Sequence, residues 1–219
     1  MNFPVRKILS CVFVVLVVGG LGVLVACGTR FPGPAGTHKV GYIYYSDGFA
    51  YPQYFGNKTA IGIVVEVNSN GYASKIVGLQ EVNRQWGESN EAGNSEALSA
   101  SEGWSNTNII KESATNLPVE FPAFDYCINY GSTHAAGGTW YLPAINELEL
   151  LHENFDAIQV GLNAITDSGL KASIQNERYW SSTKDAGGAN AMAWNVSTGS
   201  IEAVTKTTEL LVRPFRKVR

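Results

Sequence analysis

A chain of 219 residues allows one sizeable domain or two small ones, and its composition, 45% hydrophobic and 16% charged, is that of an ordinary globular protein. The 23 glycines and 10 tyrosines favour a turn-rich, strand-rich fold over a helical bundle. The net charge is −3, and without the first 26 residues it becomes −5 (14 basic against 19 acidic), which argues against a general affinity for nucleic acid or anionic membranes.

The chain opens with Arg6 and Lys7, and Ile8 to Val25 is almost wholly apolar, the layout of a secretory signal. The same run is long enough to be read as a membrane-spanning helix. Leu24-Val25-Ala26-Cys27 separates the two readings, because it is similar to the lipobox of bacterial lipoproteins, where cleavage before the cysteine is followed by lipid attachment to its thiol. That resemblance implies a signal peptide over residues 1–26, lipidation at Cys27, and a place in the bacterial cell envelope, at the outer membrane or cell surface. An uncleaved anchor would equally leave the rest of the chain outside the cytoplasm. Residues 27–39 are expected to tether the lipid to a domain spanning 40–219; Gly28 to His38 is Gly/Pro-rich and without periodicity. Of three cysteines, Cys11 leaves with the signal and Cys27 is blocked by lipid, so Cys127 has no partner for an intramolecular disulfide. Its neighbours Phe124, Tyr126 and Ile128 suggest a buried packing thiol.

Val40 to Tyr45 reads as a strand, ended by the turn Ser46-Asp47-Gly48. Ile61–Val67 and Tyr72–Leu79 flank Asn68-Ser69-Asn70-Gly71, a hairpin signal because Asn-Gly tolerates positive φ. Gln80 to Ser105 is polar and rich in Gly, Ser and Asn, with Trp86 and Trp104 embedded; it reads as a long loop folded over the sheet. Those tryptophans either stack on a sugar or pin the loop to the core. Asn108–Thr115 and Pro122–Tyr130 are expected to be helical, the second with Ala123, Tyr126, Cys127 and Tyr130 along one side. Trp140-Tyr141-Leu142 reads as a short strand ended by Pro143. Leu148, Leu151 and Phe155 then fall on one face of a helix, with Glu147, Glu149, Glu153 and Asn154 free to face water. Its start is imperfectly capped, since Ala144 has no side-chain oxygen; Asn146 with Glu149 is a possible substitute. Closing strands are expected at Arg178–Ser182, Ala191–Val196, Ser200–Val204 and Leu210–Phe215. Trp180, Trp194, Val196 and Val212 supply core, and the basic tail Arg213, Arg216, Lys217 and Arg219 reads as the solvated face of the last strand.

Trp140-Tyr141-Leu142-Pro143 followed by Glu147-Leu148 resembles the W-x-L-P-x-x-x-E-L signature of a domain family of unknown function with a C-type lectin-like fold. Its members occur in bacterial surface lipoproteins and at the C-terminal end of a collagen-like adhesin. Four further pieces follow the family's order. They are Phe121-Pro122-Ala123 with Cys127, Tyr179-Trp180-Ser181-Ser182-Thr183, Ala193-Trp194-Asn195-Val196 with Gly199, and Val212-Arg213-Pro214-Phe215-Arg216. The resemblance spans roughly Val40 to Arg219 and implies an α+β fold: twisted antiparallel sheets, two or three helices, long loops and no disulfides.

The fold carries many activities, so function rests on the residues present. Calcium-dependent lectins of this fold use Trp-Asn-Asp on a strand; here Trp194-Asn195 is followed by Val196, which offers a hard cation no side-chain oxygen. A loop site through Asp185 and Asn190 stays open. The resemblance to formylglycine-generating enzymes fails on their cysteine pair, since Cys127 stands alone. His38, His134 and His152 lack metal-ligand spacing, and no catalytic motif appears, so no cofactor and no enzymatic activity are expected. A recognition module remains, holding a glycan or a protein through the loops between Asn176 and Glu209. Arg178, Lys184, Asp185, Asn190 and Lys206 are the polar side chains expected to reach ligand; Tyr179 could stack, though its motif position suggests core. A structural subunit of an envelope assembly is the alternative. A third is the variable receptor of a diversity-generating retroelement. A partner protein calls for a contiguous apolar patch, and a glycan for a groove with one or two exposed aromatics among polar groups.

Overall fold

The computed structural model describes residues 38–89, 99–134 and 136–218. Cys27, the signal and most of the tether lie outside that range. Strands β1 (Ile43–Tyr45), β2 (Ala50–Tyr51), β3 (Ala60–Val67) and β4 (Ala73–Gly78) build the first sheet, joined by β10 (Phe215–Lys217) in the order β10-β4-β3-β1-β2. Strands β5 (Val82–Gln85), β6 (Arg178–Lys184), β7 (Asn190–Asn195), β8 (Ser200–Thr205) and β9 (Glu209–Val212) build the second, in the order β5-β9-β6-β7-β8. Every pairing is antiparallel except β6 with β9, which run parallel. Helices α1 (Gly103–Ser113), α2 (Leu117–Glu120), α3 (Pro122–Thr133), α4 (Ile145–Glu153) and α5 (Phe155–Ala164) lie between β5 and β6 in the chain. The architecture is the α+β arrangement of a C-type lectin-like domain, with five α-helices among the described residues where two or three were expected.

The predicted β3–β4 hairpin forms for the expected reason. The Asn68 side chain accepts the amides of Asn70 and Tyr72, and Gly71 turns at φ +77°. Three apolar clusters hold the fold. One packs Ile43, Ile63 and Val77 of the first sheet against Leu148, Leu151, Ile158 and Leu162 of α4 and α5. A second gathers Trp86, Ile110, Phe124, Cys127 and Trp180 under α1 and α3. A third sets Val64 and Ile76 against Tyr130 and Trp140. Cys127 is a free thiol with no exposed surface, and burial pushes its pKa well up.

Expectations are corrected at two places, the first of them the centre of the chain. Glu147 does not face water: it is 3% exposed, and its carboxylate supplies the cap that Ala144 lacks. Oε2 accepts the amides of Ala144 and Gly103, each at 3.0 Å, and Oε1 accepts the Tyr141 hydroxyl at 3.0 Å. Lys75 Nζ stands 3.8 Å from the same carboxylate. Asn146 donates instead to Ser101 Oγ, so the Asn146–Glu149 substitute is not used. Other backbone donors here also find distant partners: Leu142 N bonds Thr107 Oγ1, Ile145 N bonds Thr183 Oγ1, and Asn146 N bonds Ala100 O. A buried amide without a partner costs about 1–3 kcal/mol, so this frame locks α1, α4 and β6 together. Gly103 is required in it, because a Cβ there would lie 2.5 Å from the Ala144 nitrogen and from Glu147 Oε2. Trp140-Tyr141-Leu142 makes a single bridge, Tyr141 to Phe215, rather than a strand.

The second correction is at the C-terminal end. Leu210–Phe215 is not one strand. Pro214 has no amide to donate, and the chain passes there from β9 in one sheet to β10 in the other. Arg213 at this crossing is 1% exposed rather than solvated. Its guanidinium donates to the carbonyls of Gly78, Leu79 and Ala172 and to Glu81 at 2.9 Å. The Tyr179 hydroxyl donates to the same Glu81 at 2.8 Å, which fixes Tyr179 as core. Burial pushes the Glu81 carboxyl up, against the opposite pull of Arg213 and Tyr179.

Candidate ligand-binding cleft

The side chains expected to reach ligand do not converge. Arg178 begins β6 and Lys184 ends it, so about 20 Å of strand separates them. Arg178 lies 3.6 Å from Glu202 on β8 and lines a polar cleft of about 440 Å³ with Asn83, Gln175, Glu177 and Glu209. Asp185 and Asn190 close the β6–β7 hairpin on each other: Asp185 Oδ1 accepts the Asn190 amide at 3.1 Å, and Gly188 N bonds the Asp185 carbonyl. Lys184 is half-buried beside them.

Lys206 is corrected outright. It is 1% exposed, its ammonium lies 5.0 Å from the Trp86 ring centroid, and it donates to the Gly188 carbonyl. The chain enters this site because Trp86 N and Gly87 N both bond the Lys206 carbonyl. Burying an ammonium demands such a cage, so Lys206 holds the hairpin rather than a ligand.

A different cleft has the features expected of a sugar site. It measures about 630 Å³ and is lined by Tyr44, Trp104, Gly138, Thr139, Arg216, Lys217 and Val218. The two tryptophans of the stretch read as a loop are placed differently. Trp86 is wholly buried and donates to the Ser181 carbonyl at 2.8 Å, pinning its loop. Trp104, on the first turn of α1, is 47% exposed. Its place is set from below, since the neighbouring Gly103 amide is held by Glu147.

Arg216 also lines the cleft. Its Nη1 donates to the carbonyls of Ala136 at 3.1 Å and Gly137 at 3.2 Å, and its Cζ lies 5.9 Å from the Trp140 ring centroid. Gly137 and Gly138 both have positive φ, and a Cβ on Gly138 would sit 2.1 Å from the Arg216 Cζ. Only glycine lets the guanidinium lie flat against this backbone. Lys217 pairs with Glu102 at 2.7 Å, and that hydrogen bond holds the Glu102 carboxyl below its usual range. The cleft thus offers an aromatic face, a hydroxyl at Thr139, an oriented guanidinium and an ammonium with its counter-charge. Such a set can stack on a ring and hydrogen-bond around its rim. Among the described residues no group of three His, Cys, Asp or Glu side chains could hold a metal ion.

Residues 80–216 match the family model of the Lcl C-terminal domain, more than half of the chain. The chain belongs to that family. The Lcl C-terminal match begins just after β4, so β1 to β4 precede it, and it includes Trp104, Gly138, Thr139 and Arg216 of the cleft. No curated protein matches the chain. No helix among the described residues is long and apolar enough to cross a membrane.

Sequence reasoning did not bring the residues of this cleft together. Trp104 was visible as a candidate platform, but Arg216 and Lys217 read as a solvated face. The paired glycines at 137 and 138 were the one local sign of a close approach there.

Proposed function

We propose that the protein is a non-catalytic recognition module, held on the outer side of a bacterial membrane by lipid at Cys27, that binds a glycan in the Trp104–Arg216 cleft. One observation carries the ligand class: a half-exposed tryptophan lines one concave surface together with polar and basic groups. That is the groove a glycan calls for, where a protein partner calls for a contiguous apolar patch. The family match supports a binding module, and the lipobox-like Leu24-Val25-Ala26-Cys27 supports the anchor.

The test is binding to a broad glycan and matrix panel, with calcium and with chelator. Trp104→Ala should weaken binding by about 30-fold or more, the loss of about 2 kcal/mol expected when a central aromatic anchor is truncated. Arg178→Ala, Lys184→Ala and Asn190→Ala should leave it unchanged. Binding that Trp104→Ala spares would refute the cleft. Silence across the panel would favour an envelope protein as partner. For the anchor, mass spectrometry of the membrane fraction should show Cys27 at the mature N-terminus carrying lipid.

A further inference from the structure

The solvent face of an amphipathic helix carries polar residues, and α5 keeps to this at Asp156 and Asn163 but not at Val160 between them. Val160 is 68% exposed, more than any other large apolar side chain among the described residues. It does not stand alone. With Val40 and Tyr42, which lead into β1, Pro52 after β2, and Asp156 and Ala157 of α5, it lines a groove of about 260 Å³, and Asp156 is the charged residue among these.

The groove is built on fixed backbone. A Cβ on Gly41, at φ +87°, would lie 2.5 Å from the Ala157 carbonyl oxygen, and one on Gly161 would lie closer still to the Gly41 carbonyl oxygen. Only glycines let the entering chain rest directly on α5. Gly41 N bonds the Val64 carbonyl and Val64 N bonds the Tyr42 carbonyl, which ties the same segment to β3.

What covers this groove follows from where the chain enters it. Ten residues, Gly28 to Thr37, separate Cys27 from His38, and His38 is two residues from Val40 of the groove. The eleven steps from Cys27 to His38 reach at most about 40 Å. A domain of 180 residues measures about 40 Å across, so a path round to its opposite face takes about 60 Å. A lipid at Cys27 would therefore keep the bilayer on the groove's side of the domain. Held covalently within that reach, the bilayer meets the groove at roughly millimolar effective concentration, so a contact too weak to hold a free domain suffices. The acidic balance beyond residue 26 gives anionic lipid no attraction, so the contact is an apolar one. Resting on the lipid anchor put forward above, we propose that the groove between Val40 and Val160 is the membrane face of the domain. Val160 and Pro52 dip about 5–10 Å into the boundary between headgroups and acyl chains of the bilayer that holds Cys27.

The test uses the full-length lipidated chain in phosphatidylcholine vesicles that contain acyl-chain spin-labelled lipid, which quenches a fluorophore at membrane depth. Cys11 leaves with the signal, Cys27 is taken by lipid and Cys127 is buried, so a single introduced cysteine carries the fluorophore. At Asn163→Cys, three residues from Val160 on the same face of α5, its emission should be lost to the spin label. At Val119→Cys, an exposed apolar position on α2, the emission should be kept. Val160→Asp added to Asn163→Cys should abolish the quenching and leave the circular dichroism spectrum unchanged. A chain that does not float with the vesicles overturns the anchor, and the membrane face with it. A chain that floats, yet is quenched at neither position, equally at both, or still at 163 after Val160→Asp, overturns the membrane face alone.

Discussion

Replacing Glu147 by alanine removes one carboxylate and leaves three buried donors without an acceptor: the amides of Gly103 and Ala144 and the hydroxyl of Tyr141. All three residues are buried, and each unsatisfied donor costs about 1–3 kcal/mol. Water admitted to the space left behind would recover part of that, so the expected loss is about 3–5 kcal/mol. Glu147→Gln keeps the shape. Its amide oxygen can still accept both backbone amides, while its NH₂ replaces the acceptor for Tyr141, whose hydroxyl can turn to accept instead. What goes is the charge assistance and the attraction of Lys75 at 3.8 Å, about 1–2 kcal/mol. Urea unfolding followed by tryptophan fluorescence reads the difference, since Trp86, Trp140 and Trp180 are buried. The alanine variant should unfold at clearly lower urea than the glutamine variant. Equal losses would refute the capping account, because then the charge and not the three donors would carry the effect.

Two further outcomes follow from His38 and Lys206. Burial lowers the His38 pKa from its ordinary 6.5, and its Nδ1 accepts the Ala73 amide at 3.0 Å, a bond available only to the unprotonated nitrogen. The unfolded chain therefore binds this proton first; the contribution is present above pH 6.5 and is lost as pH falls below it. The thermal midpoint should fall on acidification just below 6.5, and His38→Gln should flatten that part of the profile. Lys206→Ala should lower stability by about 2–3 kcal/mol, since it removes a buried stem and the contact with Trp86, while glycan binding at the Trp104 cleft is retained. Calorimetry and the panel assay separate the two effects.

Much of the fold could be read from neighbouring residues. Asn68-Ser69-Asn70-Gly71 announces its hairpin because the turn is made by those residues alone. Pro122 to Tyr130 announces α3, and Ala123, Cys127 and Tyr130 are buried along it as the helical stride requires. Trp180, Trp194, Val196 and Val212 are core as expected, since large apolar side chains on strands bury one face of a sheet. The α4–α5 break at Asn154 was not readable: apolar spacing runs across it, and nothing local marks it beyond the asparagine, whose amide bonds back to the Leu150 carbonyl.

What the sequence by itself determined is the class of fold, the β3–β4 hairpin, helix α3, the strands β6 to β8, and a lone cysteine that belongs to the core. These depend on period, turn chemistry and composition, which act over a few residues. Only the tertiary structure decided what the charged side chains do. Glu147, Lys206 and Arg213 look like surface residues, yet each is buried against partners 44 to 135 positions away: Glu147 meets Gly103, Lys206 meets Trp86, and Arg213 meets Gly78. The cleft likewise draws Tyr44, Trp104, Gly138 and Arg216 from four separate segments. A charge is worth burying only where distant groups arrive to solvate it, and their arrival is a property of the folded chain.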